Sequence, residues 1–150
     1  MSLTDSARAI IDANSYMTLG TADAEGRPWV SPVWFSTADP RELFWVSDPD
    51  ARHSRNIAAR PQVAAVIFDS HAPIDTGEGV YMTALAEQLE AGEARDRALA
   101  VFSRRSVAQG GREWTSADLS APAAQRLYRA AVFEHSLVDR HAVRTPVRIG

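Results

Sequence analysis

The chain has 150 residues and a formal net charge of -3, with 23% charged and 45% hydrophobic residues. That length and composition fit one compact domain over 1–150 with enough apolar material for a core, and the acidic balance excludes a broadly basic nucleic-acid binder. Cysteine is absent, which excludes disulfides and thiolate metal sites.

The opening "MSLTDSARAII" has no cationic start followed by an apolar core, and no apolar run approaches the roughly 18 residues of a membrane span. The expectation is a soluble cytoplasmic protein with neither a membrane nor a nucleic-acid partner. "LTDSARAIIDAN" predicts a short helix, with Thr4 as its N-cap and Ala7, Ile10 and Ile11 at helical spacing. "SYMTLGTAD" and "PWVSPVWFST" predict two strands around "AEGR", where Gly26 suits the positive φ of a tight hairpin. After the turn "ADPRE", "LFWVS" predicts a third strand. "ARHSRNIAAR" then predicts a helix that stops before Pro61.

"QVAAVIFD" is apolar on both faces, as a central strand would be, and "EGVYMTALAEQLE" continues in the extended pattern. "GEARDRALAVFSRRS" returns to helical spacing through Ala94, Ala98, Val101 and Phe102. "VAQGGREWTSADLSAP" predicts an exposed loop, and "QRLYRAAVFEHSLVDRH" a long final strand. Six strands joined mostly by short turns and accompanied by three helices make a mainly β fold, an antiparallel barrel decorated by helices.

Positive charge gathers in "SDPDARHSRNIAARP", where Arg52, His53, Arg55 and Arg60 follow a strand end. Arg52 offers a planar fork of donors, and the first N–H groups of the following helix point the same way, an arrangement suited to phosphate. The competing reading is a solvated basic helix face.

Together, "LGTADAEGRPWVSPVWF", "LFWVSDPDARHSRNIAARPQVAAVIFD" and "GVYMTALAEQLE" resemble the pyridoxamine 5'-phosphate oxidase-like family of flavin-binding split barrels. The likeness covers about residues 14 to 90, and the "RLYRAAVFEHSLVD" segment fits the closing strand more loosely. It implies a six-stranded antiparallel split β-barrel holding FMN or, alternatively, the deazaflavin coenzyme F-420. Ser31, Pro32, Val33 and Trp34 would run along the flavin ring, with backbone groups meeting its polar edge. Pro32, lacking an N–H, argues for an edge or special position in the sheet. Trp45, Val46 and Ser47 would approach the ribityl chain or phosphate, and Arg52, His53 and Arg55 would hold the phosphate. His53 stands where the family commonly has lysine, which makes charge at that place depend on pH.

The resemblance also implies a homodimer with cofactor sites at the shared interface. Strict alternation along the last strand sets Arg129 and His135 on the face of Leu127, Phe133 and Leu137, where they would line a cleft unless a bulge relocates them. Trp114 either covers a flavin or packs. His71, Asp75 and His141 have no metal-ligand spacing, and no nucleophile elbow, Walker loop or dinucleotide fingerprint is present. Two functions stay open. One is a flavin- or deazaflavin-dependent oxidoreductase acting on a small molecule by hydride transfer, and the other is a non-catalytic flavin-, haem- or tetrapyrrole-binding protein of the same fold.

Overall fold

The computed structural model describes residues 1–150 as three helices and seven strands: α1 Leu3–Ala13, β1 Tyr16–Ala22, β2 Pro28–Trp34, β3 Glu42–Ser47, α2 Arg52–Ala59, β4 Gln62–Phe68, β5 Gly79–Gln88, α3 Glu93–Ala108, β6 Arg126–Val138 and β7 Arg144–Val147. The first seven elements and α3 fall where periodicity sets them. Helix α1 begins two residues earlier than expected. The Ser2 hydroxyl accepts from the Asp5 N–H and the Asp5 carboxylate accepts from the Ser2 N–H, both at 3.1 Å, so Ser2 is the N-cap. Thr4 lies in the first turn and donates to the Arg148 carbonyl at 3.0 Å, tying α1 to the chain end.

All strand pairs are antiparallel, in the order β2-β1-β4-β5-β6-β3, with β7 added to the far half of β6. The strand count is therefore seven rather than six. Strand β7 is only four residues long and contains Pro146, so it has no alternation to read. The expected long last strand ends at Val138, and the loop before it contains a 3-10 turn over Ser116–Leu119.

Period-2 alternation drives Met17, Leu19, Val33, Phe35, Leu43, Trp45, Val63, Ile67, Val80 and Met82 into one interior, which α1 completes with Ala7 and Ile11 and α2 with Ile57. A second cluster, with Phe44, Leu99, Phe102, Leu119 and Leu127, packs α3 onto the outside of β3 and β6. No helix is long and apolar enough to cross a membrane.

A register shift between Thr83 and Ala84 sets Glu134 opposite Thr83 and Val132 opposite Ala84, leaving Phe133 as the unpaired bulge residue. This bulge overturns the strict alternation expected for β6. Leu127 faces α3, whereas Leu137 faces the barrel interior. Arg129 lies on the outer surface with Glu42 and Glu87, while His135 is buried at 5% exposure and bonds the Pro40 carbonyl through Nε2 at 2.8 Å. The two residues do not share a cleft.

Strand β4 is central, as its two apolar faces require, but the chain buries only one of them. Val30, Phe68, Tyr81, Leu85 and Phe133 are 48% to 69% exposed on β2, β4, β5 and β6.

Burial holds the His135 imidazole below its ordinary pKa, partly offset by the Pro40 carbonyl and Asp39. The unfolded chain then binds the extra proton first, so this residue's contribution is intact above about pH 6.5 and is lost as pH falls through the lower folded value. Thermal melts from pH 7.5 to 5 should show parent stability falling with acid. His135→Gln, which keeps a donor for Pro40 without titrating, should give a flatter profile. Parallel profiles would remove His135 from the acid limb.

Candidate functional site

The two ends of the sheet order, β2 and β3, come round toward each other but join only at one bridge, where Ser36 and Phe44 exchange two backbone bonds of 2.9 Å. Extending that register by two and three residues sets Trp34 opposite Val46 and Val33 opposite Ser47, and no ladder forms there. Backbone polarity along each strand follows from alternation. The Phe35 N–H reaches back to the Ser15 carbonyl beside β1, and Ser36 faces β3, so Trp34 and Pro32 direct their backbone groups into the split. Phe44 faces Ser36, so Val46 does the same from the other side. The split therefore offers the N–H groups of Trp34 and Val46 with the carbonyls of Pro32, Trp34 and Val46. Pro32 removes one donor from this edge, as its edge position permits.

A cavity of about 470 Å³ lies along this opening. Pro32, Val33, Trp34, Val46, Ser47 and His53 form its strand and α2 side. Phe102 and Ser106 of α3 and its C-cap Gln109, with Gly111, Trp114 and Gln125 from the segment after it, form the other. Trp34, Phe102 and Trp114 meet edge to face, with ring centroids 5.0 and 5.4 Å apart. The Trp34 indole N–H donates to Gln109 Oε1 at 2.8 Å, clasping α3 to β2.

Two glycines return the chain toward the cavity after α3. Gly110 has φ +83, and a Cβ on Gly111 would lie 2.6 Å from Ser106 Oγ and 3.0 Å from the Ser106 carbonyl, so no larger residue fits without displacement.

At the α2 end, Ser47 Oγ and His53 Nε2 share a hydrogen bond of 2.9 Å. Half-burial pushes the His53 pKa below its ordinary value, which favours neutral imidazole. Helix α2 starts at Ala51 with no side-chain cap, leaving first-turn N–H groups for an external acceptor. Of the two carboxylates just upstream, Asp48 is turned to the Asp50 N–H at 2.8 Å.

Six of the ten residues assigned from sequence thus line the cavity, and four do not. Ser31 is half-buried on β2 and pairs with Leu19 in the β1 ladder. Trp45 is wholly buried, stacked on Tyr128 inside the barrel with centroids 5.8 Å apart, so its side chain cannot reach a ligand in the split. Arg52 and Arg55 are exposed on the outer turn of α2, outside the cavity lining. The Arg52 guanidinium lies over the Trp29 ring at 4.1 Å, and neither arginine has a side-chain hydrogen bond or ion pair within the chain.

The α3 wall was not read from sequence, although Trp114 was left open. Its signal is the pair of serines, Ser103 and Ser106, that interrupts an otherwise apolar helix stripe.

A curled antiparallel sheet with an unjoined seam, a cavity along that seam and a basic helix start beside it define a split barrel. The chain belongs to the pyridoxamine 5'-phosphate oxidase family, whose model matches residues 3–139. A pyridoxine/pyridoxamine 5'-phosphate oxidase of Streptomyces avermitilis is 29% identical over 114 residues, covering 76% of this chain and 47% of the relative, so the chain spans about half that protein's length. Among solved structures, the haem storage protein HutZ of Vibrio cholerae superimposes with a TM-score of 0.71 at 23% identity, over 93% of this chain and 95% of that one. An FAD-binding protein of Mesorhizobium loti does so with a TM-score of 0.66 at 20% identity, over 91% and 94%. These structural likenesses establish the shared fold.

An exposed cation–π pair contributes only about 0.5–1 kcal/mol, so Arg52→Ala should lower stability by no more than about 1 kcal/mol in urea unfolding. A loss above about 2 kcal/mol would make Arg52 a structural residue rather than one free to bind a ligand.

Proposed function

We propose that the split holds a phosphorylated flavin, FMN, and that the chain is a flavin-dependent oxidoreductase acting on a small molecule. The observation that carries this reading is the pair of unpaired strand edges. They offer donors and acceptors at fixed spacing to the polar rim of a planar heterocycle, between aromatic walls and beside a basic helix start. Trp34, Val46 and Pro32 would meet the ring through their backbones.

Ser47, His53 and the uncapped start of α2 would hold the phosphate, with Arg52 and Arg55 reaching in from outside. Stacking on Trp29 occupies the flat face of the Arg52 guanidinium and leaves the donors at its edge free, so the two contacts are compatible. Flavin supplies hydride transfer when bound, and the protein's part is to position it and exclude water. That division explains why the cavity needs no nucleophile.

The exposed apolar face supports a homodimer. Its residues spread across four strands of one sheet surface, a patch of the kind that marks a protein contact. Strand β2 belongs to both regions, since Val30 contributes to this face while Pro32 and Trp34 line the cavity. A partner seated on that face would therefore lie next to the cofactor site.

Isothermal titration should give tighter binding of FMN than of riboflavin, and Arg52→Ala should weaken FMN by about 1.5–3 kcal/mol while leaving riboflavin unchanged. Equal affinities for the two flavins would remove phosphate recognition. Protein purified without added cofactor and then denatured should release a flavin identifiable by mass, whereas a released tetrapyrrole would establish the binding-protein reading instead. Sedimentation should give a dimer, and Phe133→Arg, which changes a side chain already outside the core, should give a folded monomer. A parent protein that is monomeric and still binds FMN would contradict the shared-interface arrangement.

A further inference from the structure

The wall that α3 and its following segment add to the cavity carries no formal charge. Phe102, Ser106, Gln109, Gly111, Trp114 and Gln125 supply two aromatic rings, two carboxamides, a hydroxyl and a glycine. Four arginines lie close to this wall in sequence, and none lines it: Arg104 is exposed, the Arg112 guanidinium stacks on the Trp114 ring at 3.8 Å, and the donors of Arg105, Arg112 and Arg126 have acceptors within the chain. Arg105 donates to the Asn14 carbonyl at 2.7 Å, Arg112 pairs with Asp118 at 3.0 Å, and Arg126 donates to the Ala123 and Gln125 carbonyls at 2.6 and 2.7 Å.

The carboxamide of Gln109 has a fixed sense. An indole N–H only donates, so its partner must be Oε1, and the Gln109 NH2 group is left without an acceptor in the chain. The Ser106 hydroxyl donates its proton to the Arg112 carbonyl at 2.7 Å and keeps only acceptor lone pairs. The free side-chain donors of the wall are therefore those of the two carboxamides, Gln109 offering donors and Gln125 either sense.

We propose that this half of the cavity binds the substrate, and that the substrate is an uncharged planar ring compound bearing a carbonyl-type acceptor, such as a quinone, rather than a phosphorylated or carboxylated one. The inference rests on the flavin reading above for the role of the ring as substrate, though not for its binding. Aromatic faces and one oriented NH2 group suit a flat molecule with an acceptor. A phosphate or carboxylate placed there would give up its hydration against a lining without a cation, since Arg112 is paired with Asp118 and Arg126 with backbone carbonyls. His53, the one titratable side chain of the lining, shares a hydrogen bond with Ser47 and is disposed to remain neutral by burial.

Calorimetric titration with two probes of the same shape, naphthoquinone and naphthoquinone sulfonate, tests this on the full chain carrying FMN. The neutral probe should bind at least about tenfold more tightly than the sulfonate, since the latter must desolvate its charge without a partner. Gln125→Arg, at an exposed position able to accept a longer side chain, should bring the sulfonate to at least equal affinity. Gln109→Glu, which still accepts from Trp34 but loses the donors, should weaken the neutral probe severalfold. Equal or tighter binding of the sulfonate by the parent, or a ratio unchanged in Gln125→Arg, would overturn the proposal. Failure of the flavin reading is seen separately, as no FMN binding before any probe is added. The same probe ratio measured without FMN then still decides the ligand class.

Discussion

The structure depends on two strand edges that do not pair. An antiparallel sheet curled this far would ordinarily close by hydrogen-bonding β2 to β3, and one bridge, Ser36 with Phe44, shows that the strands come within reach. Beyond it the ladder stops. Pro32 has no N–H to give at the next facing position but one, and the Trp34 side chain is committed to Phe102 and Gln109 of α3. The seam is held open by packing from outside rather than by a missing strand. Exposed edges invite aggregation in most sheets, and here α3 and the segment after it cover the opening.

The same constraint orders the rest of the molecule. The bulge at Phe133 bends β6, so that its first half pairs with β3 and its second half with β7. That bend carries β3 round toward β2, and it also turns His135 inward to the Pro40 turn that leads into β3. Inside the barrel, Trp45 stacks on Tyr128 with ring centroids 5.8 Å apart. The chain has no lysine, so every permanent side-chain cation is an arginine. At the start of α2, the phosphate contact proposed above would therefore fall to planar forks and histidine rather than to a mobile ammonium.

Most of the fold was legible because local and long-range signals agree. Strands β1 to β5 are β-branched and aromatic runs bounded by turns, α2 is bounded by Pro61, and Gly26 marks the first hairpin with φ +84. The misses have separate physical causes. Strand β7 is too short and proline-bearing to show a period. The inward turn of His135 depends on a bulge that no spacing in β6 announces, because the extra residue is defined only by its partner strand.

The site divides in the same way. Its strand half and His53 were reachable from ordered sequence blocks, since residues near in sequence also lie near in space. The α3 half was not, because Gln109 meets Trp34 across 75 positions of chain. The Trp45 side chain lies outside the cavity lining for a simpler reason: neighbours on a strand face opposite ways, and a block that matches as a whole does not say which of its side chains point inward.

The central claim is that the unpaired backbone of this seam receives the flavin ring. Backbone amide spectra of labelled protein, recorded as FMN is added, test it residue by residue. The N–H signals of Trp34 and Val46, which face the opening, should move most, with the indole N–H of Trp34, while Val33 and Trp45, whose N–H groups belong to the neighbouring ladders, move less. Unchanged Trp34 and Val46 signals, with the largest shifts on the outer sheet face around Tyr81 and Leu85, would place the ligand elsewhere and contradict the account.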